Sequence, residues 1–209
     1  MSDINCHVLH AVSQLTNWAS TKKRNPTEID AKKKLVVISG CDRGFGYLLV
    51  QALLKETDYL VLALALTEEG VKAVESLNDA AAAENRLFAL QCDVTSDKDV
   101  QRVGDYVREI ITTQRNNAVL FSIVNNAGIP GSGDFLFFKD ISPFQKVMDV
   151  NFFGQLRLAQ TLLPTMLETS MKLSTEPRAD YLFEFSLWCG SASRQLDLQC
   201  IQICGRSMV

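Results

Sequence analysis

The feature that most constrains the fold is a repeated order of short apolar runs and helical segments. Four mostly apolar runs, typical of strands buried on both faces of a sheet, cover residues 35–38, 59–66, 86–92 and 119–124. A segment with the spacing of an amphipathic helix follows each run, at residues 46–55, 68–83, 96–113 and 143–171. Strands that alternate with helices in this way form right-handed βαβ units. The sequence therefore predicts an α/β protein with a doubly wound parallel sheet.

Two residues predict details of these helices. Ser96 stands at the start of the third helical segment, where its hydroxyl is suited to cap the first free backbone N–H groups. Pro164 lies inside the fourth segment, and because proline has no backbone N–H it predicts an interruption there.

The alternation divides the chain into three parts. Residues 1–33 form an N-terminal extension and linker, residues 34–177 carry the alternating pattern, and residues 178–209 form a tail of different character. Within the extension, helical spacing joins the apolar residues Ile4, Val8, Ala11, Leu15 and Trp18. We interpret them as a short amphipathic helix that packs on its own domain rather than as a membrane or targeting segment.

Composition and charge exclude several classes of protein. The formal net charge of -3 gives no reason to expect nucleic acid as a partner. No apolar run approaches the roughly 18 residues that a membrane-spanning helix needs. The six cysteines show no metal-ligand spacing, so we expect no metal site and predict free, buried thiols rather than disulfides. These observations favour a cytoplasmic protein, while an organelle or peripheral membrane association stays open.

A glycine-rich turn joins the first predicted strand to the first predicted helix, at residues 39–46 with the sequence SGCDRGFG. Gly40 is suited to a tight turn, and Gly44 leaves room for a pyrophosphate beside the backbone. Gly46 lets the helix lie close to the sheet. Backbone N–H groups at a helix N-terminus favour a bound anion. Three glycines alone also fit an ordinary turn, but their place between a strand and a helix favours a nucleotide site.

With the spacing G-x-x-x-G-x-G, this turn resembles that of the short-chain dehydrogenase/reductase family. Its sequence is similar to the TGCDSGFG of the branch that contains retinol, hydroxysteroid and 3-hydroxybutyrate dehydrogenases. It differs by Ser39 in place of Thr and Arg43 in place of Ser. The resemblance implies a Rossmann-type domain over residues 34–177 and an NAD(P)-dependent oxidoreductase that acts on an alcohol or ketone. It leaves a homo-oligomer open for the full-length form.

Three further motifs match the family in order and spacing. The resemblance implies that Asp93 accepts a hydrogen bond from the adenine amino group, although Asp93 fits a turn-capping residue equally well. It implies that residues 125–128 (NNAG) line the adenosine side, and that Asn151 holds a water molecule in a proton relay. The predicted cofactor-binding residues are Ser39, Gly40, Cys41, Arg43, Gly44, Phe45, Gly46, Asp93, Val94, Asn125, Asn126, Ala127 and Gly128.

The choice of cofactor depends on charge at the end of the second strand. An acid at that position binds the ribose hydroxyls of NAD, and a basic group accommodates the 2'-phosphate of NADP. Residues 63–67 offer neither, but Glu68 and Glu69 follow and no basic residue precedes Lys72. The sequence therefore favours NAD(H) and leaves NADP(H) open.

The family's catalytic pair is missing from these 209 residues. The resemblance implies a Tyr as general acid/base, with a Lys four residues later that lowers its pKa. Four residues after each tyrosine the chain has another residue type: Gln51, Ala63, Ile110 and Phe185. This chain is therefore predicted to be inactive, and a non-catalytic nucleotide-binding fragment is the alternative function. Residues 135–138 favour an apolar substrate but fit an ordinary core as well.

A one-base shift of the reading frame would restore the missing motifs. Without the first base of the codon for Arg178, and with suitable synonymous codons, residues 178–181 become G-R-I-I, as on the family's fifth strand. The same frame allows Y-S-A-S-K, the family's catalytic motif, to be read from Leu198 onward. We therefore interpret residues 178–209 as a frameshifted or aberrantly spliced tail, which leaves the sheet incomplete on its C-terminal side.

Overall fold

The chain forms a five-stranded parallel sheet with the strand order β3-β2-β1-β4-β5. The computed structural model describes residues 10, 12–13, 33–79, 85–113, 118–131, 140–171 and 183–185. The strands are β1 (Lys33–Ser39), β2 (Leu60–Ala65), β3 (Leu87–Gln91), β4 (Ala118–Asn125) and β5 (Phe183–Phe185). The order runs outward in both directions from β1, so the prediction of a doubly wound sheet is confirmed. Its switch point lies between β1 and β4, where such folds bind ligands.

Five α-helices lie within the described residues: α1 (Gly44–Glu56), α2 (Glu68–Glu75), α3 (Asp97–Thr113), α4 (Ser142–Met148) and α5 (Gln155–Met171). A 3-10 turn at Ser76–Asp79 continues α2, and a π-helical turn at Asp149–Gly154 joins α4 to α5. All four predicted helical segments are present, and the fourth is divided by the π-helical turn.

Apolar side chains fill both faces of the sheet. Every residue of β2 is buried, as expected of a strand with helices on both sides. In β1, Leu35 and Val37 pack with one core cluster, and Val36 and Ile38 pack with the other. The first cluster includes residues of α3 and α5, namely Val100, Val103, Val107, Leu158 and Leu162. The second includes residues of α1 and α2, namely Leu49, Val50, Leu53 and Val74.

Of the N-terminal extension, the structure describes three residues besides Lys33, which is already the first residue of β1. His10, Val12 and Ser13 are helical, and Val12 is buried within the cluster that contains α1. This contact agrees with a helix that packs on its own domain. The five residues of the predicted apolar stripe, Ile4, Val8, Ala11, Leu15 and Trp18, lie outside the described residues.

The predicted interruption at Pro164 is wrong, because α5 continues through this residue. Proline removes the hydrogen bond to the carbonyl of Gln160, one turn earlier. Gln160 and Pro164 are both exposed, so water can solvate the carbonyl that has lost its partner.

Strand β5 lies at the C-terminal side of the sheet. Its three described residues pair in parallel with the end of β4, from Ile123↔Phe183 to Asn125↔Phe185. Strand β4 itself has eight residues. Residues 172–182 and 186–209 lie outside the described residues, so an incomplete C-terminal side stays a prediction.

Candidate nucleotide-binding site

The glycine-rich turn has the backbone angles that its glycines allow. Gly40 and Gly44 have φ values of +70° and +66°, a left-handed region that other residues rarely adopt. A Cβ on Gly40 would lie 2.8 Å from Cα of Ala127, whereas a Cβ on Gly44 would meet nothing within 4 Å. Gly40 is thus required for packing as well as for its angles, while Gly44 faces open space.

Gly46 brings the first turn of α1 against the end of β1. A Cβ at this position would lie 2.5 Å from the carbonyl oxygen of Gly40 and 2.6 Å from Nδ2 of Asn126. Only glycine fits without a shift of these neighbours. The helix N-terminus therefore lies directly beside the turn.

The start of α1 has no side-chain cap. Its N-cap residue is Arg43, whose side chain makes no capping hydrogen bond, and its first turn contains no acidic residue. The first N–H groups of a helix have no partner within the helix and carry a partial positive charge. This end of α1 can therefore accept an anion from outside the chain.

The segment after β4 is hydrogen-bonded to the same turn. Oγ of Ser39 accepts hydrogen bonds from the N–H groups of Asn126 (3.1 Å) and Ala127 (3.0 Å). Nδ2 of Asn126 donates to the carbonyl oxygens of Ser39 and Gly40, both at 2.9 Å. Asn125 and Gly128 flank this contact, and Asn125 is buried. The predicted residues after β1 and β4 thus lie together at the switch point.

Cys41 and Phe45 face the protein interior. Sγ of Cys41 donates to the carbonyl of Ile38 (3.2 Å), and its N–H donates to the carbonyl of Leu64 (2.9 Å). Burial raises the pKa of the Cys41 thiol far above its usual range. Phe45 packs against the core cluster on the α1 side. Both side chains therefore pack on the protein side of the turn, and their part in cofactor binding stays a prediction.

Asp93 forms a turn between β3 and α3. Its Oδ1 accepts hydrogen bonds from the N–H (2.9 Å) and hydroxyl (2.7 Å) of Thr95, and its own N–H donates to Oδ2 of Asp99 (3.1 Å). Asp93 therefore caps this turn, as one of its two interpretations predicted. Within the described residues, both bonds from Thr95 are to Oδ1. Val94, the next predicted residue, is buried beside Gly154, where a Cβ would lie 2.7 Å from Cγ2 of Val94.

Asn151 lies in the π-helical turn and is bound to the chain after β4. Its Oδ1 accepts the N–H of Ile129 (2.8 Å), and its Nδ2 donates to the Ile129 carbonyl (2.9 Å). The side chain is 6% exposed, so both bonds are shielded from water. Arg157 of α5 joins the same turn to α3 by two ion pairs. It pairs with Asp149 of the π-helical turn (2.7 Å) and with Asp97 of α3 (3.1 Å).

Sequence reasoning missed one residue of this site, Asp42. Its carboxylate crosses from the glycine-rich turn to the end of β2, where it accepts hydrogen bonds from the backbone N–H groups of Leu66 and Thr67. Its partners are 24 and 25 residues away and are backbone groups, so the amino-acid pattern carries little signal for the contact. The only available signal was its position in a turn that follows a central strand.

Other candidate features are limited to the described parts of the chain. No helix there is long and apolar enough to cross a membrane, and no group of three or more His, Cys, Asp or Glu side chains could hold a metal ion. Residues 135–138, from which an apolar substrate was predicted, lie outside the described residues, as does the tail apart from β5.

The sequence profile of the short chain dehydrogenase family matches residues 34–172. Mouse retinol dehydrogenase 5 is 32% identical over 143 residues, which are 68% of this chain and 42% of that protein. Bovine mitochondrial D-beta-hydroxybutyrate dehydrogenase is 32% identical over 135 residues, 63% of this chain and 37% of that protein. The aligned region thus spans about two fifths of the length of these relatives.

The fold is also similar to that of solved structures. A carbonyl reductase from chicken fatty liver, determined with bound NADPH, superposes with a TM-score of 0.56 and 24% sequence identity. The superposition covers 68% of this chain and 54% of the reductase. At this identity the likeness shows the shared fold, and the NADPH is a property of the chicken protein.

Proposed function

The chain belongs to the short-chain dehydrogenase/reductase family, and from that premise we propose that residues 34–177 form a domain that binds a nicotinamide dinucleotide for oxidation or reduction of an alcohol or ketone. The observation that carries the proposal is the uncapped N-terminus of α1, which adjoins the open space at Gly44. Once bound, the cofactor supplies or accepts the hydride.

The pyrophosphate is assigned to the space in front of Gly44. Its charge suits the partial positive charge of the α1 N-terminus, and the absence of a Cβ lets it approach the backbone. The hydrogen bonds from Asn126 to the carbonyls of Ser39 and Gly40 hold this turn in one shape. A preformed turn binds more tightly because less ordering is needed on binding.

The adenine is assigned to the turn after β3. Oδ1 of Asp93 is engaged by Thr95, and Oδ2 is directed to the adenine amino group in this proposal. The N–H of Val94 and the segment 125–128 complete the adenosine side. Asn151 keeps its proposed place in the proton relay of the parent enzyme, which is the protein that the same gene would give with residues 178–209 read in the frame that restores Y-S-A-S-K.

Catalysis is not expected of these 209 residues on their own, because they contain no Tyr followed four residues later by Lys. Residues 178–209 are proposed to be a frameshifted or aberrantly spliced tail. One observation supports this: the match to the family profile ends at residue 172. The transcript tests it: codons after Pro177 that cannot give G-R-I-I and Y-S-A-S-K after a one-base shift would refute the idea.

The substrate of the parent enzyme is proposed to be apolar. Phe135, Leu136, Phe137 and Phe138 follow the NNAG segment closely in sequence, and apolar side chains line most pockets for small molecules. The names of the matched relatives, a retinol dehydrogenase and a hydroxybutyrate dehydrogenase, span apolar and polar substrates.

The test is a titration of the purified chain with NADH, followed by fluorescence, together with an assay of substrate-dependent NADH formation. Binding without turnover supports the proposal for this chain and the alternative of a non-catalytic fragment. Turnover by these 209 residues would refute the proposed lack of activity, and failure of a folded sample to bind NADH or NADPH would refute the dinucleotide site.

Charge reversal at the two ends of α1 gives a matched pair of variants. Arg43→Glu places an acid at the N-cap, where it repels the pyrophosphate and competes for the free N–H groups. We expect NADH affinity to fall about ten-fold or more. Lys55→Glu makes the same change in the last turn of the same helix, on a side chain that is 83% exposed, and should leave the affinity unchanged.

A further inference from the structure

Strand β3 is an edge of the sheet, and every second residue has its backbone groups directed away from its neighbour β2. The carbonyl of Arg86 and the N–H of Cys92, on either side of β3, both bond to residues of β2 at 2.8 Å. Alternate residues of a parallel strand bond to opposite sides, so the residues between these two divide into two sets. Leu87, Ala89 and Gln91 therefore direct their N–H and carbonyl groups outward.

The outward groups in the middle of this edge are open. Nη2 of Arg102 donates to the carbonyl of Gln91 (2.6 Å), which closes the carboxyl end of the edge. Arg102 is also paired with Asp99 (3.3 Å). Within the described residues, no hydrogen bond to the outward groups of Leu87 or Ala89 is present. A second strand can therefore pair with β3 at Ala89.

A groove of about 270 Å³ runs along this edge, between β3 and α2. Strand β3 lines it with Ala89, Leu90 and Gln91. Helix α2 lines it with side chains spaced three or four residues apart, which form one row on the helix: Glu68, Val71, Lys72 and Glu75. The groove thus has apolar residues in its walls and two carboxylates at its ends.

Acids from both faces of the sheet flank the amino end of this edge. Burial raises the pKa of Tyr106, and the nearby carboxylates of Glu109 and Glu75 raise it further. The ring of Tyr106 packs edge-on against Phe88 of β3, with the centroids 6.4 Å apart. Since α2 and α3 pack on opposite faces of the sheet, Glu75 and Glu109 approach the edge from the two sides.

From this geometry we propose that the groove along β3 binds an extended segment of another protein, which adds a strand to the sheet and carries basic side chains. Main-chain hydrogen bonds to Leu87, Ala89 and Gln91 supply affinity, and the side chains that meet the groove supply selectivity. The carboxylates of Glu75 and Glu109 select for positive charge. The inference is independent of the proposed dinucleotide function.

The same charges disfavour a second copy of this chain as the occupant. A two-fold axis at Ala89 would pair β3 with itself and place two α2 helices side by side in opposite directions. Glu68 of each copy would then face Glu75 of the other, and like charges across an interface oppose association. Lys72 is the one base among the residues that line the groove. A basic partner therefore fits this edge better than self-association does.

The test uses the full chain and two fluorescent peptide probes, R-V-R-V-R and E-V-E-V-E, followed by anisotropy. The basic probe should bind about ten-fold more tightly than the acidic one. It should also slow hydrogen exchange at the outward N–H groups of Ala89 and Gln91, and leave the inward N–H groups of Phe88 and Leu90 unchanged. Equal binding of the two probes refutes the inference, as does binding without protection of Ala89.

Ala89→Pro removes the outward N–H and leaves the bonds to β2, because proline is tolerated on an edge strand where its nitrogen faces solvent. The affinity for the basic probe should fall about ten-fold. Glu75→Gln keeps the backbone intact and should weaken the probe about three-fold. Glu168→Gln, at an exposed position of α5, is the matched control and should have no effect. Unaltered binding by a folded Ala89→Pro variant would show that the probe is not paired with β3.

Two further measurements identify other occupants. Sedimentation that shows a dimer, lost in Ala89→Pro, would assign the edge to a second copy of the chain and refute the inference. The basic probe and NADH should bind together, since the groove lies outside the glycine-rich turn. Displacement of the probe by NADH would place it in the nucleotide site instead, which is also a refutation.

Discussion

The two turn glycines should differ in their tolerance of a methyl group. Gly44→Ala strains a positive φ and should destabilise the protein by about 1–2 kcal/mol. Gly40→Ala has the same strain and also places Cβ 2.8 Å from Cα of Ala127, so it should destabilise by clearly more. Urea denaturation of both variants measures the difference. Equal losses would mean that the NNAG segment is not packed on the turn.

Individual residues of the site were predictable where their backbone is unusual and not where their partners are distant. Gly40 and Gly44 stand out in the sequence because a turn between a buried strand and a helix needs positive φ angles, which both have. Asp42 was passed over, since it is hydrogen-bonded to amide groups that only the folded sheet brings near. The acid beside the end of β2 cannot be read from residues 63–69 alone.

The buried thiols predict a loss of stability at high pH. Burial raises the pKa of Cys92 from its ordinary value of 9.0 to about 12, with nearby Asp99 adding to the effect. A thiol that stays protonated when folded but ionises when unfolded loses its stabilising contribution as pH rises from about 9 towards 12. Urea midpoints should therefore fall over this range, and the fall should be smaller in Cys92→Ala. An unchanged slope in that variant would contradict the assignment.

The strands and helices could be predicted from the apolar runs, because a strand that is covered by helices on both faces needs apolar residues at nearly every position. All four predicted strands are present, and Ser96 lies where a cap of α3 was expected, with Oγ accepting the N–H of Asp99 (3.3 Å). The π-helical turn at Asp149–Gly154 was not predicted. It contains Asn151, whose two hydrogen bonds to Ile129 join segments 22 residues apart, and no helical periodicity can indicate such contacts.

Pro164 offers a test of whether α5 is one continuous helix. Since α5 passes through it, Pro164→Ala restores a hydrogen bond to the carbonyl of Gln160 and removes a residue that costs a helix about 3 kcal/mol. The free energy of unfolding should rise by about 1–3 kcal/mol. Glu168→Ala, at an exposed position of the same helix, is the control and should change little. No gain at Pro164 would indicate a broken helix.

Within the described residues, the sheet is built from four strands of five to eight residues and a fifth of three. Strand β5 pairs with the end of β4, from Ile123 to Asn125. Fold class could be predicted because the βαβ pattern covers most of the chain. The pairing of Phe183–Phe185 could not, because three residues carry too little pattern to identify a strand.

We expect the chain to be only marginally stable, with a broad or low-temperature melt. NADH at a hundred times its dissociation constant should add about 2.7 kcal/mol to the folded state and raise the melting temperature by several degrees. Calorimetry with and without NADH measures both quantities. A cooperative melt at high temperature without ligand would contradict this expectation.

The hydrogen bonds that join Ser39 and Asn126 have a consequence for biosynthesis. The glycine-rich sequence emerges from the ribosome more than 80 residues before Asn126, which fixes its shape. The turn of a nascent chain can therefore reach its final shape only after Asn126 has left the exit tunnel of the ribosome. If the proposed site is correct, ribosome-bound chains stalled before and well after that point should differ in their retention on a cofactor-linked resin.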